Sequence, residues 1–411
     1  MLFIVLDNHN SSMPRLLQIN STANWGSTGK IAEQIGQRAM ACGWESYIAY
    51  GRYTNPSSSK LIKIGSRVGQ MWHFVLSRLF DRHGLASTIA TRQLIGEIKR
   101  IKPDIIHLHN IHGYYLNYEV LFSFLNSTNI PVVWTLHDCW AFTGHCAHFV
   151  DIGCDKWIKG CSECKKHNCY PRSMVDCSSR NYDIKKRLFG SNRGLRIVAV
   201  SNWLKSLVEK SFLEEKPIEV IHNGINIDTF KPSDSITDDT IQIVGVSNVW
   251  SASKGLYDFY ELRKKLSPDK YAITLVGVSQ EQKDTLPDGI NGILRTNSAA
   301  DLAELYSRAD LFVNPTYADT FPTTNIEALA CGTPVVTYRT GGSPEAVTNE
   351  TGFVVEQGDI DGLVSAVKEI EQRGKQHYRK ACREHAEEHF DKDKCFDRYI
   401  ELYNELLTNN R

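Results

Sequence analysis

The sequence predicts an α/β protein of two domains, each built on a parallel sheet. Three observations carry this. The chain has 411 residues, long for one hydrophobic core. Short apolar runs alternate along it with helical patterns, the signature of parallel β-α-β units. A polar stretch, SDSITDDT at 233–240, interrupts that alternation and reads as a linker. Composition is that of an ordinary globular protein, 42% hydrophobic and 23% charged with a formal net charge of zero. Balanced charge argues against a dedicated nucleic-acid binder. No apolar run approaches the roughly 20 residues that span a bilayer.

Residues 1–12, MLFIVLDNHNSS, lack the basic start and the small-residue cleavage site of an export signal. They read as an extension, so a cytoplasmic location with mostly free or metal-bound cysteines is expected. The first strand is expected at Leu16–Ile19, followed by a Gly-containing loop and an amphipathic helix. Ser46–Tyr50, Ile105–His109, Val132–Leu136 and Ile197–Val200 continue the first half. Most of these runs end in polar, Gly- or His-containing segments, where open α/β sheets collect ligands. Ile241–Val246, Ala272–Val276, Leu311–Val313 and Val335–Tyr338 repeat the pattern in the second half. The last helix, Cys395–Leu407, carries Phe396, Tyr399, Ile400, Tyr403 and Leu406 at helical spacing.

The stretch from Ala309 to Val336 is chemically the richest. It reads as a buried strand, a polar loop, a helix opening near Thr323, a Gly-Thr-Pro turn and a second strand. Asp319 and Glu327 bracket the loop and the first helical turn. Unpaired amides at Thr323, Thr324 and Asn325, with the helix dipole, suit a phosphate. A carboxylate at the rim suits sugar hydroxyls, and a nucleotide-sugar diphosphate offers both groups. Thr324-Asn-Ile-Glu327 is also a good capping box, which would employ Glu327 on its own helix.

Other candidates are less self-contained. In Gly26-Ser-Thr-Gly29-Lys30 the glycines let backbone approach an anion. Their spacing and the Ile31 that follows do not fit a Walker A loop, which excludes an NTPase of that type. His107 and His109 share one face of a strand end, with His112, His137, His145 and His148 nearby. A zinc hydrolase needs an H-E-x-x-H or comparable carboxylate spacing, and none is present. Of eleven cysteines, seven fall between Cys139 and Cys177. Cys146, Cys154, Cys161 and Cys164 have the spacing C-x7-C-x6-C-x2-C in a long Gly- and Lys-rich loop. A structural zinc on four thiolates would order such a loop, with Cys169 and Cys177 as replacement ligands; unpaired thiols or a disulfide are the alternatives. Residues 52–102 are basic and nearly free of acids around Met71-Trp-His-Phe-Val-Leu-Ser-Arg-Leu-Phe80. Peripheral contact of residues 60–82 with anionic lipid is one reading, and a helix core face with a solvated basic side is the other.

The Asp319-to-Glu327 spacing and the Ala-Cys-Gly-Thr-Pro-Val-Val that follows resemble the E-x7-E region of retaining glycosyltransferases of family 4, with Asp319 in place of the first Glu. The likeness runs over nearly the whole chain from about Met13. It implies a GT-B fold, two Rossmann-like domains facing across a cleft: 13–230 on the acceptor side, 231–391 for the nucleotide sugar, and a helix at 392–411 crossing back. Val220–Pro232 looks like the family hinge, with His222 where Pro is usual. In the family pattern G-R-x-x-x-x-K-G, Lys254 matches, Asn248 stands where the arginine would be, and Trp250 is extra.

By the same resemblance, the catalytic group would be His137, Asp319 and Lys254. Gly26, Gly29, Asn248, Lys254, Asp319, Thr323, Thr324, Asn325 and Glu327 would hold a UDP- or GDP-sugar. Glu327 would take the ribose hydroxyls, and His137 the sugar near its reacting carbon. Asp138 would orient its neighbour His137, with contact to the acceptor as the alternative, and His109 and Asn110 would line the acceptor side. Gly341-Gly-Ser-Pro-Glu345 resembles the family's G-G-x-P-E loop, and Leu294–Asn297 would lie near the nucleobase. The implied reaction is retaining transfer of a hexose to a saccharide or lipid-linked acceptor in cell-surface polysaccharide synthesis, with no cofactor required for catalysis. A nucleotide-sugar epimerase or hydrolase of the same shape, or a non-catalytic sugar-nucleotide binder, are the competing classes.

Overall fold

The computed structural model describes residues 13–233 and 240–409; the expected extension at 1–12 and most of the expected linker lie outside the described residues. The first half forms a seven-stranded parallel sheet from β1 (Arg15–Asn20), β2 (Glu45–Tyr50), β3 (Lys60–Lys63), β4 (Ile105–Leu108), β5 (Val132–Leu136), β6 (Leu195–Ala199) and β7 (Ile218–Val220). Its order is β3-β2-β1-β4-β5-β6-β7. The second half forms a six-stranded parallel sheet from β8 (Ile241–Val246), β9 (Tyr271–Val276), β10 (Ile290–Ile293), β11 (Leu311–Asn314), β12 (Val335–Tyr338) and β13 (Gly352–Val355), in the order β10-β9-β8-β11-β12-β13. Helices cover both faces, so the central strands are mostly apolar: Leu16, Leu17 and Ile19 of β1, and Leu311, Phe312 and Val313 of β11, are fully buried.

In each sheet the strand order turns back beside the first strand, between β1 and β4 and between β8 and β11. Loops leaving the carboxyl ends of those strands part to opposite faces and open a crevice, the place where such sheets take ligands. The candidate donor-binding residues sit on those loops or the helices they lead into, while His137, Asp138 and the four candidate zinc cysteines follow β5.

Helix Lys392–Asn409 packs against the first sheet. Phe396, Tyr399, Ile400, Tyr403 and Leu406 share one buried cluster with Leu16, Ile31, Ile35, Trp44, Ile105 and Val133. Arg38 of helix Gly26–Ala41 donates to the Asp397 carboxylate at 2.8 Å. The chain makes the crossing beside the hinge, where the Ile225 N–H donates to Phe390 O at 2.8 Å and the Lys392 N–H returns to Ile225 O at 2.9 Å. A side chain at Gly224 would sit 2.5 Å from Lys392 Cα, so only glycine lets these two segments meet.

A second link joins the halves. The Glu345 carboxylate accepts the N–H groups of Asn202 and Trp203 at 2.8 and 2.7 Å, the Asn202 side chain at 3.1 Å, and pairs with His222 at 3.2 Å. These partners outweigh the burial that would raise its pKa and hold it below the ordinary range. His222, where the family hinge usually has Pro, also stacks on Phe321 at 4.7 Å. Glu345, of the loop resembling the family's G-G-x-P-E, is an interdomain strut.

Candidate active site

On the first sheet, the loop after β1 leads into helix Gly26–Ala41, whose N-cap Trp25 supplies no side-chain hydrogen bond and whose first turn holds no acid. A Cβ on Gly29 would lie 2.6 Å from Thr22 Oγ1, so glycine here lets the loop fold tightly onto the helix start. Lys30 is exposed, and its charge is felt by Glu327 of the other domain. The loop after β5 brings His137 and Asp138 to the same crevice, and Thr320 Oγ1 donates to His137 O at 2.7 Å across it.

On the second sheet, Lys254 Nζ donates to Asp319 Oδ2 at 2.7 Å and to Ala318 O at 3.2 Å, with both side chains partly open to solvent. Asn248 is exposed, and the extra Trp250 turns inward, its Nε1–H donating to Val276 O at 2.9 Å. The Gly341 loop closes over this segment. At φ +55°, a Cβ on Gly341 would stand 1.7 Å from Asp319 O, so no other residue fits without displacing the Asp319 backbone.

Helix Thr323–Ala330 begins as expected, with Pro322 at its N-cap and no side-chain cap. The capping box is therefore not formed. Glu327 meets the Tyr306 hydroxyl at 3.3 Å. Burial raises the Glu327 pKa, while Tyr306, Lys30 and Thr323 work to lower it.

Three residues differ from expectation. Asn325 is fully buried: its Oδ1 accepts from Asn314 at 2.7 Å, its Nδ2 donates to Ser343 O at 3.3 Å, and its own N–H turns to Pro322 O. It braces the loop rather than facing the crevice. His109 is 1% exposed and lies behind His137, whose Nε2 is 3.1 Å from its Nδ1, so it does not line the acceptor side. Asp138 orients His112, Oδ2 to Nε2 at 2.9 Å, rather than His137. Burial works to raise the Asp138 carboxyl, but His112 and the Trp140 N–H leave it at about 2. Asn110 keeps its partly exposed place at the end of β4, its N–H bonded to Asn20 Oδ1.

Two further residues escaped the sequence reading. His148 is partly buried, which lowers its pKa, and it feels the charges of Asp138, Asp319 and Lys254, so it belongs to the crevice. In sequence it was one histidine among several. Gln18 is fully buried in β1. A polar amide inside the apolar run RLLQIN was a usable signal, since such a group must find partners.

The loop at 139–177 is ordered by more than its cysteines. Phe142, Phe149 and Trp157 pack on one another, with rings 5.1 to 6.4 Å apart. Its base is tied by Asp81, which pairs with His145 at 2.7 Å and accepts the Cys177 N–H at 2.9 Å. Buried Lys185 donates to Trp140 O and Thr143 O, and burial brings its pKa down to about 7. Cys146, Cys154, Cys161 and Cys164 all line one cavity of about 140 Å³ and are free thiols. Among the described residues, no group of three or more His, Cys, Asp or Glu is set to hold a metal ion.

Two parallel-sheet domains with switch-point loops across a crevice, and a last helix returned to the first domain, define a GT-B glycosyltransferase fold. Solved structures agree. Sucrose-phosphate synthase from Thermosynechococcus elongatus matches with a TM-score of 0.72 at 18% identity, covering 96% of this chain and 100% of that one. HepE from Anabaena, in complex with UDP and glucose, matches with a TM-score of 0.65 at 16% identity, covering 95% and 99%. At sequence level, residues 32–229 match the model described as Glycosyltransferase Family 4, and residues 240–373 match the one described as Glycosyl transferases group 1. The chain belongs to this glycosyltransferase family. Its relatives include the Escherichia coli K12 protein named "Putative colanic acid biosynthesis glycosyl transferase WcaC", 24% identical over 86% of this chain and 90% of that protein. The capsular polysaccharide biosynthesis glycosyltransferase CapM of Staphylococcus aureus is 23% identical over 42% of this chain and 51% of its own.

Proposed function

We propose that this chain transfers a hexose from a nucleoside-diphosphate sugar to a saccharide or lipid-linked acceptor in cell-surface polysaccharide synthesis, with retention at the anomeric carbon. The observation that carries the reading is that the helix start has no side-chain cap: Glu327 turns to the Tyr306 and Thr323 side chains and feels the Lys30 charge of the other domain, while Lys254 pairs with Asp319 on the loop leading into the helix. Relatives named for colanic acid and capsule synthesis support the pathway class, and HepE in complex with UDP and glucose supports the donor class.

In this reading the Thr323 and Thr324 amides and Lys254 meet the diphosphate, Glu327 takes the ribose hydroxyls, and His137 and Asp319 meet the sugar. The bond from the anomeric carbon to phosphate breaks as the acceptor oxygen attacks on the same face, and its proton passes to the departing phosphate oxygen. Lys254 and the amides stabilise the charge that develops there, where fixed donors are most effective. No divalent metal enters the scheme. Radiolabelled UDP- and GDP-sugars incubated with a lipid-linked acceptor extract test it: label on lipid, retained under a chelator, is expected. Free sugar would indicate an epimerase or hydrolase, and unchanged donor a binder.

Helix Arg67–Phe80 supports a membrane setting for the acceptor. It buries polar His73 and Ser77, and exposes Val68, Met71, Trp72, Leu79 and Phe80 beside Arg67 and Arg82. A core face would do the reverse, and an outward apolar face among cations suits anionic lipid. Gln70 ties the helix to Gly51 just after β2. The protein is expected to float with vesicles containing phosphatidylglycerol, and Trp72→Ser to weaken this about tenfold. Equal flotation of both proteins, or none, ends the membrane reading.

For the Cys-rich loop, what supports zinc is that four free thiols line one cavity; they are not set as a ligand group as they stand, so binding would require their sulfurs to move together. Protein purified without chelator is expected to carry about one equivalent of zinc by mass spectrometry. Metal-free protein with four titratable loop thiols would refute this.

A further inference from the structure

A chain of hydrogen bonds runs behind His137, and each bond in it has only one consistent direction. Gln18 Nε2 donates to Ala32 O at 2.7 Å, which turns Gln18 Oε1 toward His109 Nε2 at 3.0 Å. The reverse amide orientation would set two carbonyl oxygens against each other. His109 therefore carries its proton on Nε2 and, as a neutral ring, accepts at Nδ1. His137 Nε2 lies 3.1 Å from that atom and must donate to it. The proton of His137 is thereby fixed on Nε2, and its Nδ1 keeps a free lone pair. No described residue bonds that Nδ1, and His137 alone among His107, His109 and His137 retains exposed surface.

The chain is braced from beneath. Thr135 Oγ1 donates to the Tyr399 hydroxyl at 3.0 Å, so it accepts from His107 Nε2 at 2.8 Å, and His107 Nδ1 accepts from the Tyr403 hydroxyl at 2.6 Å. The His107 ring lies 4.1 Å from that of His109. Burial lowers the His107 and His109 pKa values well below the ordinary one and brings His137 to about 4, so the whole stack stays neutral.

We propose that Gln18 and His109 are positioning residues that lock His137 as its Nε2–H tautomer, so that its Nδ1 is a hydrogen-bond acceptor for a hydroxyl of the donor sugar. The substrate half of this rests on the function proposed above. A histidine free to choose its tautomer would face that hydroxyl as a donor part of the time. The lock makes acceptance permanent.

Long-range 1H–15N correlation spectra of the full chain, labelled in its histidine rings, test the lock without any ligand. His137 is expected to show protonated Nε2 and bare Nδ1. In Gln18→Leu the proton should spread over both nitrogens. In Gln18→Glu a buried carboxylate should hold His109 doubly protonated, reverse its bond to His137 and move the His137 proton to Nδ1, with donor affinity falling about tenfold. Wild-type His137 protonated on Nδ1 overturns the proposal, as does a bare Nδ1 retained in both variants; the wild-type spectrum decides even where a variant fails to fold. With the lock intact, a His137 Nδ1 resonance unmoved at saturating sugar nucleotide overturns instead the assignment of His137 to the sugar.

Discussion

Lys254→Met is expected to lower kcat/KM about 10²- to 10³-fold, as the loss of one donor to a developing oxyanion does elsewhere. The effect should be at this upper level because Lys254 works with little help. The second cation of the family pattern is absent, Asn248 is uncharged, and Trp250 points into the core. Lys254 is also already engaged, donating to Asp319 Oδ2 at 2.7 Å. To serve a phosphate it must share itself with Asp319 or release it, and that rearrangement ties sugar and diphosphate recognition together. Lys254→Met thus removes a charge from the leaving group and leaves Asp319 without its cation. Lys254→Arg should retain part of the rate. Initial rates at subsaturating donor measure both, and a methionine variant within a factor of two of wild type would remove Lys254 from the mechanism.

Glu327→Gln should weaken donor binding about 10- to 100-fold, the loss of charge-assisted hydrogen bonds to a diol, while making the protein more stable at neutral pH. The second half follows from the raised pKa of a carboxyl that burial discourages from ionising. Its folded-state pKa exceeds the unfolded one, so the native state binds more protons in the interval between them. Stability accordingly falls as pH rises through that interval. Glutamine removes this penalty, so the gain in melting temperature should be present at neutral pH and vanish below the ordinary glutamate range. Donor affinity of the wild type should show the opposite trend, weakening as pH drops through the raised Glu327 pKa. Calorimetry and nucleotide titration across pH measure both. A variant that loses stability at neutral pH while keeping affinity would make Glu327 an ordinary structural residue.

The strands legible in the sequence were the central ones, and the four that escaped notice, β3, β7, β10 and β13, are the four sheet edges. A parallel strand covered on both faces must be apolar throughout, and so declares itself. An edge such as Lys60-Leu-Ile-Lys63 is short, charged and half exposed, as edges that avoid pairing with other chains tend to be. The candidate site was legible in which loops carry it and blurred in who touches whom. Asp319, Lys254 and Glu327 stand at the cleft because spacing along a loop is local information. Asn325 looked like a ligand because an exposed helix start and a buried one read alike. His109 looked exposed because a strand end says nothing of a neighbouring ring stacked in front of it. Asp138 found His112 in place of His137, a choice made by the fold of a long loop that no periodicity describes. Glu345 was invisible as a strut, since its partners lie about 140 residues away.

The return of helix Lys392–Asn409 to the opening sheet has a consequence for biogenesis. Leu16, Ile31, Ile35 and Trp44 leave the ribosome long before the tyrosines and phenylalanine of helix Lys392–Asn409 that seal them. The leading half is therefore obliged to travel through synthesis with a greasy flank uncovered. It becomes a finished folding unit only once that helix has emerged, and a chain cut before Lys392 would yield two nearly complete lobes and a poorly soluble product.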